Sequence, residues 1–487
     1  MRTNPHILEI NTHEWFNKIK RDLGRDITLA DIPESYLFEI KSGGFDAVWL
    51  MGVWQESPAS RNIAKNDEGI NNYLAKVQPG YSKEDIMGSQ YSIYDYRVSS
   101  SLGGDEALAK LREKLNEFGI SLILDFAGNH LSIDNPLTLT DPDIFIRHKG
   151  EPQNKTEFFK TANGDWLAHG RDPHYPPWTD TVQINHFNLK ARKYLLDTLL
   201  KVSSMCDGLR CDMVMLMLNK VFRDAWGKYI QEETPVDEFW PEAIEKVKEQ
   251  HPFFTFAAEV YWGLEWEVQE LGFDYTYDKT LYDRLLLSNP QDIQGHLNAE
   301  HLYQKRSIRF ISNHDEEAPI TAFGKEKSLA AATVAATITG ARLFTTSQIY
   351  GEKRRLPIQY IQKEKYKDEE IFAFYKKLLS IINNPAFHGG QWTLKHTKAI
   401  DDKDLSFKNI LSWCWTQLST CKAVVINYGA TPAKFILPLD RVPQQETVFI
   451  KEEFTDTILS MPTEEVKKRG IVLEMKPFEI KILSVNF

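Results

Sequence analysis

Short runs of Val, Ile, Leu and Phe, each followed by a stretch of mixed polar and apolar residues, recur through this 487-residue chain to about residue 345. Runs of this kind mark strands covered on both faces, whereas a one-sided strand alternates apolar with polar residues. The runs are Ile7 to Asn11, Ala47 to Met51, Leu122 to Phe126, Gly208 to Met213, Phe253 to Ala258, Ile308 to Ile311 and Ala341 to Thr345. Between them lie helical patterns such as Asp105 to Phe118, with apolar residues at helical spacing and Gly119 as its stop. Gly272 to Tyr277 (GFDYTY) supplies an eighth strand. Eight parallel strands close into a (β/α)8 barrel, whose chemistry sits at the strands' C-terminal ends. Periodicity alone also permits a sandwich or a doubly wound sheet.

Two regions break the alternation. Residues Leu131 to Asn188 are rich in Pro, Asp and aromatics and read as loop, too long for an ordinary connection, so a functional insertion after the third strand is expected. From Gly389 the pattern changes to alternating strands (AVVINY, AKFILPL, ETVFIKEEF, FEIKILSVNF), as in an antiparallel β-sandwich. The expected organisation is an α/β barrel over residues 1–388, carrying the 131–188 insertion, and an all-β domain over 389–487, with the boundary near Asn383 to Gly390.

Composition narrows the function classes. Lys and Arg total 58 against 68 Asp and Glu, a net charge of −10, which is the wrong balance for nucleic acid. No run of about 18 apolar residues is present, so no membrane span is expected. Met1 to Phe16 carries polar residues where a secretion signal needs an apolar segment, and a cytoplasmic location is expected. Cys206, Cys211, Cys414 and Cys421 match no zinc spacing and read as buried thiols. The 12% aromatic content, including 12 Trp, suits both a large core and the apolar faces of sugars.

The ends of four runs carry the chemistry. LILDFAGNH places Asp125 in a strand, with Asn129 and His130 just past it; GLRCD puts Arg210 and Asp212 on one strand face; FAAEV ends in Glu259; FISNHD ends in His314 and Asp315. A charge at the end of a buried strand is costly unless paired or used, and four at one barrel mouth point to an active site. Glycosidic cleavage needs one group to protonate the leaving oxygen and another to meet the developing oxocarbenium. On this logic Arg210 keeps Asp212 ionised by lowering its pKa, while Glu259, among other acids and beside Tyr261 and Trp262, is raised toward neutrality.

These segments resemble the four ordered signature regions of the α-amylase superfamily of glycoside hydrolases (family 13). The successive intervals, Asp125 to Asp212, Asp212 to Glu259 and Glu259 to Asp315, are 87, 47 and 56 residues. GFDAVWLMGVW, GSQYSIYDYRV, SLGG and TGARLFTTSQIYG agree with it. GRDPHYPPWTDTVQINHFN is similar to a bacterial branch related to maltosyltransferases and trehalose-forming enzymes. The resemblance implies Asp212 as nucleophile, Glu259 as acid/base and Asp315 as transition-state stabiliser. It further implies that Arg210 positions Asp212, that His130 and His314 bind the sugar, that Asp125 is structural or bonds Arg210, and that Asn129 ties down the insertion. The implied activity is retaining hydrolysis of α-glucosidic bonds in a glucan or oligosaccharide, with glycosyl transfer or isomerisation as the alternative and a silent carbohydrate-binding or scaffolding homologue as the other.

Departures bear on the acceptor side. A Lys-His pair usually follows the nucleophile in starch-degrading members, whereas this chain has Met213, Val214, Met215 and Leu216. Met213, Met215 and Met217 read as core filling, Trp49 as structural, and Lys353 to Arg355 as a solvated loop face. Trp54, Trp166, Tyr175 and Trp178 read equally as sugar platforms or packing. No cofactor is expected; for calcium, common in related enzymes, Asn129 fits one ligand but the others cannot be named, so no metal site is assigned. Oligomeric state is not legible.

Overall fold

The computed structural model describes residues 1–363, 366–439 and 441–487. Eight parallel strands close into a barrel: β1 (His6–Asn11), β2 (Ala47–Met51), β3 (Ser121–Ala127), β4 (Gly208–Asp212), β5 (Thr255–Ala258), β6 (Tyr275–Tyr277), β7 (Ser307–Arg309) and β8 (Ala341–Thr345). They run in chain order around the cylinder, and β1 closes it by pairing with both β2 and β8, Leu8 opposite Val48 on one side and Phe344 on the other. The apolar runs become strands because the outer helices cover one face and inward side chains fill the cylinder. GFDYTY does supply the sixth strand, over Tyr275–Tyr277 only. The fifth strand starts at Thr255 rather than Phe253, which stands in a turn with its ring exposed. The seventh ends at Arg309, although Phe310 and Ile311 stay buried beyond it.

The helix forecast over Asp105–Phe118 forms over Gly104–Glu117, and Gly119 follows at φ 66°, a left-handed conformation that glycine adopts without strain. The helix Lys325–Thr337 (KEKSLAAATVAAT) has small residues buried on every side. It lies between β8 and the C-terminal sheet, where Trp415 Nε1 donates to the Thr337 carbonyl at 2.6 Å. A helix covered on both sides loses its polar face.

The insertion is more ordered than its sequence suggests. His130–Ser132 pairs antiparallel with Thr181–Gln183 at its base, and Arg147–His148, Phe158–Lys160 and Trp166–Ala168 form a three-stranded sheet. Ile146, Phe158, Ala168 and Phe187 close an apolar cluster against Phe222 and Trp226.

The C-terminal region is antiparallel: β9 (Gln391–Lys395), β10 (Ile410–Gln417), β11 (Thr420–Asn427), β12 (Ala433–Leu437), β13 (Thr447–Glu452), β14 (Ile458–Pro462), β15 (Ile471–Met475) and β16 (Ile480–Asn486). Six form one sheet in the order β9-β10-β11-β16-β13-β14, and β12 pairs with β15. Phe435, Leu437, Val448, Ile450 and Leu483 pack in its own core, whereas Trp413, Trp415 and Ile482 join the barrel's core. The four cysteines are buried thiols, as expected. Among the described residues, no helix is long and apolar enough to cross a membrane.

Candidate active site

Arg210 is the hub of the barrel mouth. Alternate residues of β4 face one side, so Arg210 and Asp212 both turn inward while Leu209 and Cys211 join the apolar core. Arg210 Nη1 lies 2.6 Å from Asp212 Oδ1 and 3.7 Å from Asp125 Oδ1, and Nη2 lies 2.7 Å from Glu259 Oε2. The rings of Tyr91, Trp49 and Tyr277 surround the guanidinium at 5.0, 5.2 and 5.8 Å from its carbon to their centroids. Such a buried cation is tolerated because anions and ring faces replace its water.

Glu259 directly follows β5. Its Oε2 accepts from the Met213 backbone N–H at 2.9 Å and its Oε1 from the Tyr261 hydroxyl at 2.7 Å. Burial pushes its pKa up to about 7, with Asp212 and Asp315 adding to the rise and Arg210 opposing it. Met213 reaches Glu259 because its backbone is left-handed (φ 45°), which ends β4 at Asp212 and starts the 3-10 turn Val214–Met217. Met215 and Met217 fill core as expected, while Met213 lines the cleft.

For Asp212 the expectation of a lowered pKa is corrected. Burial raises it above the usual range, Asp125 and Asp315 add to that, and Arg210 only partly offsets the rise. The cause is burial: the barrel mouth closes over Asp212, and desolvating its charge costs more than the ion pair with Arg210 returns.

Asp315 faces the cleft with its side chain 47% exposed. Desolvation by the walls pushes its carboxyl up, but the neighbouring His314 holds it well below the ordinary range. His314 Nε2 lies 3.1 Å from Asp315 Oδ2, and its ring stacks on Tyr91 at 5.3 Å. His130 is buried against Trp178, ring centroids 5.0 Å apart, and desolvation lowers its pKa to about 4, so it is neutral near pH 7.

A cleft of about 930 Å³ opens above these groups, lined by Tyr91, His130, Asp212, Glu259, His314 and Asp315. Arg210, Asp125 and Asn129, implied to position Asp212, to bond Arg210 and to tie down the insertion, do not line it. Arg210 and Asp125 are buried beneath its floor. Asn129 accepts from Gln183 Nε2 on its backbone oxygen at 3.0 Å and on its side-chain oxygen at 2.9 Å, tying the insertion's base to the end of β3. Among the described residues, no cluster of three or more His, Cys, Asp or Glu is set to hold a metal.

Tyr175 and Trp178 line the cleft, whereas Trp166 packs against the insertion's cluster. Trp49 is buried, as expected, and Trp54 is buried too, donating from Nε1 to the Asp125 carbonyl at 2.8 Å. Lys353, Arg354 and Arg355 are exposed, as expected of a solvated loop face, and Arg355 also lines the cleft and donates from Nη1 to the Asp315 carbonyl at 2.5 Å. Lys279, Glu316 and Tyr91 also line it and were not singled out; Tyr91 stands in the GSQYSIYDYRV stretch, and no sequence signal marked the other two.

A closed (β/α)8 barrel with three carboxylates around one buried arginine at its C-terminal mouth defines the class, a parallel α/β barrel with an acidic site at its strand ends. The family model described as "Alpha amylase, catalytic domain" matches residues 35–400, and the chain belongs to the α-amylase family. Alpha-amylase MalA of Haloarcula japonica is 22% identical over 424 residues, covering 85% of this chain; the chain spans about half (54%) of that relative's length. Among solved structures, the maltogenic alpha-amylase AmyB of Thermotoga neapolitana superposes with a TM-score of 0.70 at 19% identity, covering 100% of this chain and 99% of that one. The cyclic α-maltosyl-(1→6)-maltose hydrolase of Arthrobacter globiformis gives 0.66 at 14% identity, with 100% and 99% covered. At these identities the likeness is one of fold.

Proposed function

We propose that this protein cleaves α-glucosidic bonds of an α-glucan or oligosaccharide with retention of configuration, through a covalent glycosyl-enzyme. The observation that carries the reading is Arg210 joining Asp212 and Glu259, its Nη1 and Nη2 at 2.6 and 2.7 Å from the two carboxylates. Two carboxylates bridged by one guanidinium suit the separation of about 5–5.5 Å of a double displacement, with no gap for an inverting water.

In this scheme Glu259, protonated near neutrality, gives its proton to the glycosidic oxygen while Asp212 attacks the anomeric carbon. Glu259 then takes a proton from the acceptor that releases the sugar. Asp315 and His314 hold ring hydroxyls from one wall and His130 from the other, with Tyr91 beneath the ring. Arg210 and Asp125 position the acids from below. The presence of all three carboxylates argues against a silent homologue.

Asp212→Asn should abolish release of fluoride from α-glucosyl fluoride with the fold intact; unchanged release refutes the assignment. The anomer formed first, followed by NMR, tests retention, since a β-product would exclude it. Products from maltooligosaccharides, sucrose and trehalose then separate hydrolysis from transfer or isomerisation: free glucose or maltose means water is the acceptor, longer chains mean a sugar is.

A further inference from the structure

Glu9 is the one charged residue of β1 (HILEIN), and it is buried at the barrel mouth. In register it lies between Trp49 of β2 and Thr345 of β8, neither of which carries a charge. Its Oε1 accepts from the His314 ring at Nδ1, 2.7 Å away, and from the His314 backbone N–H at 3.2 Å. Its Oε2 meets no protein donor. Glu9 also borders a pocket of about 90 Å³, shared with Asn11, Ser312, Asn313 and Thr345 among other residues.

The His314 ring therefore has a carboxylate at each nitrogen, Glu9 at Nδ1 and Asp315 at Nε2. A neutral imidazole has one N–H, and either tautomer would set a lone pair against an anion. Only the imidazolium donates to both. Trp49, edge-on at 5.5 Å, and Tyr91, stacked at 5.3 Å, leave the ring little freedom to turn away. The other charged groups around it are Asp125 on β3, Arg210 and Asp212 on β4, Glu316 beside Asp315, Arg355 after β8, and Glu14, Glu352 and Arg354 on the walls of the pocket that Glu9 borders. Apart from Glu9, none of these lies opposite Nδ1 as a hydrogen-bond partner.

We infer that Glu9 is a positioning residue of this active site: it fixes His314 as a doubly donating imidazolium that orients Asp315 toward the sugar. The inference rests on the glycosidase reading for its catalytic consequence, while the protonation of His314 can be measured without turnover.

The decisive measurement is the ¹⁵N spectrum of histidine-labelled full-length protein, with His314→Asn used to assign the signal. At pH 8 the wild type should show both His314 nitrogens in the imidazolium range, and Glu9→Gln should show the neutral pattern. A neutral His314 in the wild type overturns the proposal whatever the activity. In kinetics, Glu9→Gln should lower kcat/KM by about tenfold or more and move the alkaline limb of the profile to lower pH by about one unit, whereas Glu9→Asp, which keeps the charge, should retain the wild-type limb. Equal profiles for all three proteins, or equal defects in both variants, would leave Glu9 a packing residue. Should Glu9→Gln not fold, the wild-type spectrum and Glu9→Asp still decide.

Discussion

Glu259 and Asp278 stand at the ends of neighbouring barrel strands, β5 and β6, both almost wholly buried, yet their acidities move in opposite directions. Burial pushes both carboxyls up. For Asp278, His296 and Arg309 outweigh it, assisted by the Leu281 N–H, and the pKa falls to about 2. For Glu259, Arg210 is shared with Asp212, that acid and Asp315 press on it, and the pKa rises to about 7. Arg309 shows the same contrast from the cation's side. It donates to Asp278, to the Gln304 side chain and to the carbonyls of Thr339 and Gln304, fixed acceptors away from the cleft. Arg210 instead serves carboxylates that face a substrate space. A saturated ion pair holds the barrel together, and an over-subscribed one leaves a proton available for chemistry.

The contrast breaks most sharply by neutralising each acid. Glu259→Gln should lower kcat by about 10²–10⁴-fold, the range for loss of a general acid, with thermal denaturation showing no loss of stability. Asp278→Asn should do the reverse. The amide still caps the helix Lys279–Leu287, where Asp278 Oδ1 accepts from the Leu281 N–H at 3.0 Å, but Arg309 is left buried without its anion. Breaking such a pair costs about 3–5 kcal/mol, readable by urea denaturation, while turnover per folded molecule should stay within a few-fold of wild type. Comparable activity losses in both variants would remove the distinction.

The barrel was legible because a strand buried on both faces is an uninterrupted apolar run, and the acids were legible as abrupt charges ending such runs. The same contrast was available at Glu9 inside HILEIN, but it lies within the run rather than at its end, and its partner is 305 residues away. Strands of two or three residues in the insertion are too short to show any period. In the C-terminal sheet, Ile410–Gln417 hides its alternation because six successive residues are buried, one face on the barrel, and Ile458–Pro462 is a largely exposed edge. The direction of Asp212's shift was not legible either: adjacency on β4 reveals Arg210, but not how completely the folded barrel buries the carboxyl.

A finer test moves Glu259 without removing it. The Tyr261 hydroxyl donates to Glu259 Oε1 at 2.7 Å and so favours the charged carboxylate. Tyr261→Phe should raise the pKa further, and because Glu259 must be protonated to act, the alkaline limb of kcat, lying near 7 in the wild type, should move to higher pH. A hydrogen bond of about 0.5–1.5 kcal/mol limits the movement to about one unit. Stability follows the same titrations. Glu259, raised from 4.5 to about 7, contributes stability that is full below pH 4.5 and is lost as pH rises through 7, so Glu259→Gln should gain on the wild type above that pH. Asp278, lowered from 3.8 to about 2, contributes stability present above pH 3.8 and lost as pH falls through 2. Denaturation midpoints of Asp278→Asn and wild type should therefore converge only in acid, and those of Glu259→Gln and wild type should diverge only toward alkali; a limb that moves to lower pH in Tyr261→Phe would mean that the hydroxyl stabilises the protonated acid instead.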